Sequence, residues 1–220
     1  MSDLQKLILA LPKGRILNEV MPLIYAAGIE PEADFNNPES RSLRFSTNHP
    51  YIDIIRVRSF DVATFVAFGA AQIGIAGNDV LMELDYSEIY IPIDLKIGLC
   101  RLVVAQPTYL INKNDLTCWG HIRIATKYPS ITAKYFSQRG IQAECIKLNG
   151  AVELAPSLGF CKHIVDLVST GSTLKANGLI EIECIANISS RLIINRVAFK
   201  TRAQELSDWI EHFRRVVNAT

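Results

Sequence analysis

The apolar residues of this chain fall into short runs that alternate with helical spacings, and this pattern predicts an α/β fold. Residues 7–11 are all apolar, as expected for a strand buried inside a parallel sheet. Residues 17–24 then carry apolar side chains at helical intervals, and Gly28 suits the position just after a helix. Pro22 lies within that pattern and predicts a kink or a late helix start. Strands alternating with helices in this way predict mostly parallel sheets.

The alternation continues to the end of the chain. Further strands are predicted at residues 43–46, 52–58, 73–76, 123–126, 143–148, 182–188 and 191–199. Ser59 or Asp61 is a candidate N-cap for one helix and Ser130 for another, and residues 151–158 predict a short helix. The last helix has the clearest apolar face, formed by Leu206, Trp209, Ile210, Phe213 and Val217. The long strand-rich stretch 89–105, interrupted by Gly98, predicts a chain that passes between two lobes.

Three turns rich in glycine or hydroxyl groups follow apolar runs. They are residues 12–15, 77–79 and 169–173. Ligands of open α/β sheets bind beyond the carboxyl ends of the strands. We therefore expect all three turns to face one cleft between the lobes.

The segment HIVDLVSTGSTL, residues 163–174, has the densest group of candidate binding residues. Its pattern predicts a strand that places Asp166 at its tip, followed by a turn into a helix that contains Ser169, Thr170, Gly171, Ser172 and Thr173. Backbone N–H groups at a helix start bind phosphate, and a nearby carboxylate suits ribose hydroxyls, so the pattern predicts a sugar-phosphate site. An ordinary strand-to-helix turn capped by one hydroxyl is the alternative. A P-loop is excluded because the Gly-Lys-[Ser/Thr] ending is absent.

The other two turns and one polar loop give weaker signals. Lys13 and Arg15 flank Gly14 after a buried strand, where two cations and a closely approaching backbone could hold a polyanion. Solvated charges at a turn are the alternative interpretation. Asp79 could contact a ribose or a base, or it could belong to a helix cap. Arg41 lies beside a polar loop, where arginines are usually exposed to solvent.

Two further sets of charged residues remain open at this stage. Arg56 and Arg58 alternate along one predicted strand and so share a face, and one of them is a candidate structural partner for an acid. Glu153 lies on a short helix before the turn at 169–173, and a surface glutamate is its simplest interpretation.

Composition and charge narrow the class of protein. Of the 220 residues, 49% are hydrophobic, which excludes disorder and favours an oligomer. The net charge of +1 gives no indication of a nucleic-acid-binding face. No apolar run approaches the ~18 residues of a membrane span, and the first residues do not resemble a signal peptide, so we expect a cytoplasmic protein. The five cysteines and four histidines show no CxxC or HExxH spacing, which favours reduced thiols over a zinc site.

Taken together, the motifs resemble one family, the ATP phosphoribosyltransferases. The matching stretches are residues 10–15 (ALPKGR), 61–80, 94–101, 123–128, 165–179 and 189–193. Their order and combination are specific, although each stretch alone is not. The resemblance implies a two-lobed fold like that of the type II periplasmic binding proteins. The first lobe would combine residues 1–98 with about 185–220, and the second would comprise 99–184.

The resemblance also implies an activity and partners. The family transfers phosphoribosyl from 5-phosphoribosyl 1-pyrophosphate to N1 of ATP and releases pyrophosphate, the first step of histidine biosynthesis. It uses Mg²⁺, which we expect to be bound through substrate phosphates and not by protein side chains. The length of the chain resembles the short form, which works with a separate subunit similar to histidyl-tRNA synthetase, commonly as a hetero-octamer. Without that subunit we expect a homodimer.

Site residues are carried over through the matching motifs. Asp166 and the turn Ser169, Thr170, Gly171, Ser172 and Thr173 would hold the ribose and its 5-phosphate. Arg15 and Arg41 would act in catalysis by stabilising the departing pyrophosphate. The ATP or pyrophosphate side would be formed by Lys13, Gly14, Asp79, Cys100 and Glu153.

This chain departs from the family pattern at three positions. Ser169 stands where an acid is frequent, Ser42 where a basic residue is common, and Asn78 where a lysine is frequent. A different functional class also fits the expected fold, namely a two-lobed solute- or nucleotide-binding module without catalysis.

Overall fold

The computed structural model describes residues 6–111 and 121–219, and the chain divides into two compact units. Unit 1 comprises Met1–Gly98 and Ser189–Thr220, and unit 2 comprises Leu99–Ile188. Each unit has its own sheet and its own apolar core. The chain therefore completes unit 1 only after it has passed through unit 2.

The sheet of unit 1 has the strand order β2-β3-β1-β4-β11-β5. Its strands are β1 (Leu7–Pro12), β2 (Arg44–Ser46), β3 (Ile52–Val57), β4 (Ile73–Gly77), β5 (Ile89–Asp94) and β11 (Ser190–Asn195). β3, β1 and β4 are parallel, while β2 is antiparallel to β3 and β11 is antiparallel to both of its neighbours. The carboxyl ends of β3, β1 and β4 consequently meet at one edge of the sheet.

Helices cover both faces of this sheet. They are α1 (Arg15–Ala26), α2 (Ser59–Ala67), α3 (Asn78–Leu84), α6 (Arg196–Thr201) and α7 (Ala203–Ala219). One core packs α1 and α7 against the sheet, and a second core packs α2 and α3 against the opposite face. The predicted apolar face of the last helix is confirmed, because its buried residues are Leu206, Ile210, Phe213 and Val217.

The sheet of unit 2 has the order β10-β6-β9-β7-β8. Its strands are β6 (Cys100–Pro107), β7 (His121–Thr126), β8 (Gln142–Lys147), β9 (His163–Val168) and β10 (Leu179–Ile188), with helices α4 (Pro129–Ser137) and α5 (Ser172–Ala176). β9, β7 and β8 are parallel, whereas β6 and β10 add antiparallel strands at one side. Both sheets are therefore mixed, whereas the sequence led us to expect mostly parallel ones.

The chain crosses between the units at Gly98 and returns at Ser189. In unit 1 the two crossing segments are hydrogen bonded, since the Ser190 N–H donates to the Ile97 carbonyl at 2.9 Å. The Gly98 N–H donates to Oε2 of Glu19 in α1 at 2.7 Å, which fastens the outgoing segment to that helix. The return was expected near residue 185, but β10 continues to Ile188 before the chain re-enters unit 1.

Two predicted elements end earlier than their apolar patterns suggest. The strand expected at 191–199 stops at Asn195, because the Asn195 side chain accepts a hydrogen bond from Ala198 N–H and begins α6. The helix expected at 151–158 is reduced to the 3₁₀ helix Val152–Leu154, and Pro156, which has no N–H, lies just beyond it.

Two of the expected helix caps are also wrong. α4 begins after Tyr128 and not after Ser130, since Pro129 suits the first helical position, where its missing N–H is not needed. Arg58 is the N-cap residue of α2, so neither Ser59 nor Asp61 occupies that position.

No helix in the described ranges is both long and apolar enough to cross a bilayer. The cytoplasmic location expected from the sequence stays a prediction. Within the described residues, Cys100, Cys145, Cys161 and Cys184 are not joined in disulfide bonds, and Cys118 lies outside those residues.

Candidate functional site

The carboxyl edge of the unit 1 sheet carries the segment that follows β1. Lys13 N–H donates to the Val57 carbonyl at 2.7 Å, so this segment is held against the end of β3. Lys13, Gly14 and Arg15 are all exposed. Two cations therefore stand on either side of a glycine at the start of α1.

Gly14 is the N-cap residue of α1, with φ at 90° and ψ at −153°. Residues with a Cβ rarely adopt this backbone conformation, so the position favours glycine. Because glycine has no side chain to cap the helix, the first N–H groups of α1 depend on other partners. The twelve-residue helix α1 thus begins with N–H groups and two cations in one place, an arrangement that suits an anion.

Arg41 is exposed in the loop that precedes β2. This loop runs beside the end of β3, because Arg56 N–H donates to the Leu43 carbonyl at 2.9 Å. The loop therefore lies at the same edge of the unit 1 sheet as the segment after β1.

Asp79 is the second residue of α3, which follows β4, and it is only 7% exposed. Gly77 is the N-cap residue of α3, so Asp79 lies in the first turn and is not the cap. A Cβ at Gly77 would collide with the Asp79 carboxylate, which shows that the carboxylate folds back over this glycine. The preceding N–H, that of Asn78, donates to the Ser189 carbonyl at 2.9 Å, where the chain re-enters unit 1.

In unit 2, Asp166 lies inside β9 and not at its tip as predicted. β9 continues for two more residues because its pairing with β6 extends to Val168, opposite Arg101. Asp166 itself is paired with Val103, and its Oδ1 accepts a hydrogen bond from Leu167 N–H at 2.8 Å. Its side chain is partly buried.

The turn after β9 presents hydroxyl groups at the surface. Gly171 is the N-cap residue of α5 and has a left-handed conformation with φ at 79°. The Thr170 and Ser172 hydroxyls lie 3.0 Å apart, and Ser172 N–H donates to the Thr170 hydroxyl at 3.4 Å. Ser169 and Thr173 are exposed, whereas Leu174 is buried in the unit 2 core and anchors the turn.

Cys100 and Glu153 lie near the same end of the unit 2 sheet. Cys100 begins β6 and precedes Arg101, the residue paired with the last residue of β9. Glu153 is half-buried in the 3₁₀ helix that follows β8. Its neighbour Val152 packs into the core that also contains Leu174.

The predicted site residues thus form two groups, one in each unit, each near the carboxyl ends of parallel strands. The group in unit 1 is Lys13, Gly14, Arg15, Arg41 and Asp79. The group in unit 2 is Cys100, Glu153, Asp166, Ser169, Thr170, Gly171, Ser172 and Thr173. The expectation that all of these residues face one cleft stays a prediction.

The sequence reasoning gave no role to Lys127, which lies at the same end of the unit 2 sheet. It follows β7 directly, in a turn held by the buried Thr126 hydroxyl. Lys127 follows a buried strand, as Lys13 does, but no glycine lies beside it, so the glycine-flanked pair of cations that singled out Lys13 and Arg15 is missing here.

Comparison with known proteins identifies the family to which the chain belongs. The family model for ATP phosphoribosyltransferase, HisG, matches residues 58–215. The chain belongs to this family. An ATP phosphoribosyltransferase of Paramagnetospirillum magneticum is 66% identical over 215 residues, which cover 98% of each chain. One from Rhodospirillum rubrum is 63% identical and is matched over 97% of this chain and 94% of its own length.

Solved structures agree with this assignment. A chain from the ATP phosphoribosyl transferase (HisG:HisZ) complex of Thermotoga maritima has a TM-score of 0.82 and 33% identity, covering 97% of this chain and 100% of that one. The aliphatic sulphonate binding protein SsuA of Escherichia coli has a TM-score of 0.58 and 13% identity, over 97% of this chain and 68% of that one. The second likeness concerns the fold alone, which is that of a two-lobed type II periplasmic binding protein.

The activity follows from membership of the family. The chain is a pentosyltransferase that transfers phosphoribosyl from 5-phosphoribosyl 1-pyrophosphate to ATP in the first step of histidine biosynthesis. The alternative of a binding module without catalysis is not favoured.

Proposed function

We propose that the two groups of site residues divide the two substrates of this reaction between them. The turn at 169–173, together with Asp166, binds the ribose and the 5-phosphate of 5-phosphoribosyl 1-pyrophosphate. The unit 1 group binds ATP and the departing pyrophosphate. The observation that carries this proposal is the turn after β9. It combines exposed hydroxyls with a left-handed glycine, and the buried side chain of Leu174 anchors it.

The chemistry of that turn suits a phosphate monoester. The hydroxyls of Ser169, Thr170, Ser172 and Thr173 can each donate a hydrogen bond to a phosphate oxygen. Gly171 lets the backbone approach the ligand closely. The Asp166 carboxylate, as an acceptor, suits the ribose hydroxyls. Ser169 adds a hydroxyl where the family often has an acid, so Asp166, inside β9, is the one carboxylate proposed for the ribose.

Arg15 and Arg41 are proposed to act on the leaving group. Negative charge builds up on the pyrophosphate oxygen as the bond to C1 of the ribose breaks. Guanidinium groups aimed at this oxygen stabilise the transition state more than the ground state. Adenine N1 is unprotonated at neutral pH, so its attack on C1 needs no general base.

Mg²⁺ is proposed to enter with the substrate phosphates. Phosphate oxygens are hard donors of the kind that Mg²⁺ prefers, so the phosphates of ATP and of 5-phosphoribosyl 1-pyrophosphate can hold the ion without protein ligands. When bound, Mg²⁺ neutralises charge that develops on the pyrophosphate. The side chains of the unit 1 and unit 2 groups orient the substrates around this ion.

We further propose that the chain works with a separate regulatory subunit. The support is the solved relative from Thermotoga maritima, which is described as part of a HisG:HisZ complex. A subunit similar to histidyl-tRNA synthetase and a hetero-octamer are the expected partner and assembly, and a homodimer is expected for the chain alone.

A turnover assay tests the site assignment. Phosphoribosyl-ATP and pyrophosphate are measured after mixing the protein with ATP, Mg²⁺ and 5-phosphoribosyl 1-pyrophosphate. Arg15→Ala and Arg41→Ala are each expected to lower kcat about tenfold or more, a barrier increase of about 1.4 kcal/mol per factor of ten. Asp166→Asn is expected to raise KM for 5-phosphoribosyl 1-pyrophosphate.

Arg214→Ala is the matched control for the arginine variants. Arg214 is a surface arginine paired with Glu211 in α7, and its removal should leave kcat unchanged. Unchanged single-turnover rates in both the Arg15 and Arg41 variants would contradict their assignment to the leaving group.

A further inference from the structure

The loop that carries Arg41 contains few apolar anchors of its own. Only Phe35, in the 3₁₀ helix Ala33–Asn36 at the start of this loop, is buried, and Arg41 itself is exposed. A catalytic arginine needs a fixed position, because an error of about 1 Å at the reacting atoms can lower the rate a hundredfold. The loop must therefore be fastened by contacts outside residues 37–43.

Arg56 in β3 supplies such a contact. Its guanidinium group donates a hydrogen bond to the Phe35 carbonyl at 2.8 Å. Its guanidinium carbon lies 5.2 Å from the ring centroid of Phe35 and 5.1 Å from that of Phe45 in β2. These distances are within the range of cation–π interactions. One arginine thus holds both the start of the loop and the strand into which the loop leads.

The two aromatic rings that contact the Arg56 guanidinium group are themselves fixed by burial. Phe35 and Phe45 are each 1% exposed and pack edge to face with their centroids 5.0 Å apart. The backbone of Arg56 completes the arrangement, since its N–H bonds the Leu43 carbonyl, two residues after Arg41. The arginine consequently contacts the loop on both sides of Arg41.

A second set of contacts fastens the loop from its solvent side. The Asp34 carboxylate accepts hydrogen bonds from the Ser40 hydroxyl and, at 3.1 Å, from the Asn37 amide. These bonds hold the pKa of Asp34 below its ordinary value. The Ser40 hydroxyl in turn accepts a hydrogen bond from Ser42 N–H at 3.2 Å, so the residues on either side of Arg41 are linked to each other.

The end of the loop is tied down by an ion pair. Arg44, three residues after Arg41, donates to Asp53 at 2.8 Å, and Lys6 contacts the other oxygen of the same buried carboxylate at 2.8 Å. Burial alone would raise the pKa of Asp53, but hydrogen bonds from Lys6 and Arg44 outweigh it and keep this pKa below its usual value.

We propose that Arg56 is a positioning residue for catalysis, which acts by holding the Arg41 loop through Phe35 and Phe45. The proposal rests on the proposed role of Arg41 at the leaving group. Arg56 does not need to contact a substrate. Removing it should have the kinetic effect of displacing Arg41.

Steady-state kinetics of the Arg56→Ala enzyme, with ATP, Mg²⁺ and 5-phosphoribosyl 1-pyrophosphate, test the proposal. We expect kcat to fall about tenfold, as for Arg41→Ala, with both KM values changed less than about twofold. The double variant R41A/R56A should be within about threefold of R41A, because a loop without Arg41 has nothing left to position. Arg56→Lys, which keeps a cation but not the planar fork, should recover part of kcat.

Arg139→Ala is the matched control for lost packing. Arg139 also lies over an aromatic ring, 3.7 Å from the Tyr135 centroid, and bonds Glu183, but it is in unit 2. Its removal should lower the thermal midpoint without changing kcat. Asp34→Ala, which loosens the loop but keeps the Arg56 side chain, should also lower kcat, and it covers the case in which Arg56→Ala does not fold.

The possible outcomes separate the two hypotheses. If Arg41→Ala lowers kcat but Arg56→Ala and Asp34→Ala leave it unchanged, the positioning role of Arg56 is overturned. Additive losses in R41A/R56A would overturn it as well. If Arg41→Ala itself leaves kcat unchanged, the proposed function of Arg41 fails instead.

Discussion

His163 shows how one buried side chain sets a pH limit on stability. It is 3% exposed at the start of β9, and its Nε2 lies 3.3 Å from Oε1 of Gln106. Burial, with a smaller effect from Lys162, lowers the pKa of His163 from 6.5 to about 4. Between pH 6.5 and 4 the His163 side chain is therefore protonated in the unfolded chain but neutral in the folded chain. The free energy of unfolding consequently falls as the pH drops through this range.

We expect the free energy of unfolding to be about 2 kcal/mol lower at pH 5 than at pH 7.5 because of this one group. Urea unfolding at the two pH values measures the difference. His163→Gln should remove most of it, while the exposed His121→Gln should retain it. Carboxyl groups with a lowered pKa, such as Asp53, lose their contribution to stability only below about pH 4, so they add little to the difference between pH 5 and pH 7.5.

Gly171 and Gly178 form a matched pair at the two ends of α5. Both have left-handed conformations, with φ at 79° and 67°, and a Cβ at either position would meet no atom closer than 3.9 Å. Each change to alanine should therefore lower stability by about 1 kcal/mol through backbone strain alone. Only Gly171→Ala should raise KM for 5-phosphoribosyl 1-pyrophosphate. Equal KM values in the two variants would argue against phosphate binding at this turn.

At the scale of elements, Asn195 joins three segments of unit 1. Its amide donates to the Val66 and Ala67 carbonyls at 2.9 and 3.1 Å, at the end of α2. Its Oδ1 accepts from Ala198 N–H at 2.8 Å, at the start of α6. The residue itself ends β11 and is only 4% exposed. One side chain thus fixes how a helix end, a strand end and a helix start meet.

Asn195→Ala is expected to lower the free energy of unfolding by about 2–3 kcal/mol, because it removes three hydrogen bonds at a buried site, of whose backbone acceptors, within the described residues, only the Val66 carbonyl keeps a bond from Gly69 N–H. Asn48→Ala provides the comparison. Asn48 also bonds two backbone groups, Gly28 carbonyl and Glu30 N–H, but at an exposed site where water can replace it. Its removal should cost less than about 1 kcal/mol, measured by the same urea titration. Similar losses for both variants would mean that burial does not decide the effect.

Local patterns predicted the strand cores and the turns, because apolar runs and glycines act within a few residues. They failed where a distant partner decides the outcome. The depth of Asp166 within β9 depends on pairing with β6, and the Asn195 side chain at the end of β11 is held by the Val66 and Ala67 carbonyls of α2. The aromatic rings that contact Arg56 come from two other segments, so these contacts could not be predicted from the sequence of β3. The family motifs predicted the site groups, but not the contacts that hold them.

For the molecule as a whole, the division into two units has a direct consequence for folding. Unit 2 is one continuous segment with its own sheet and core. Unit 1 needs β11, which lies between β4 and β5 and comes from the far end of the chain. The two units should therefore differ in whether they fold as isolated fragments.

A fragment of residues 99–188 is expected to fold alone and to unfold cooperatively in urea. A fragment of residues 1–98 should show no cooperative transition, since without β11 the strand β5 has no neighbour and β4 becomes an exposed edge. Far-UV circular dichroism during urea titration distinguishes the two cases. A cooperative transition in the 1–98 fragment would contradict the central role given to β11.

The same insertion of β11 determines the order of events on the ribosome. Synthesis begins with strands of unit 1, yet these must wait until residue 195 has left the exit tunnel before their sheet can be completed. Unit 2 emerges earlier and can fold while the first 98 residues are still incomplete. The nascent chain thus passes through a stage with an exposed β4 edge and its apolar faces, in which chaperone binding and aggregation compete with folding.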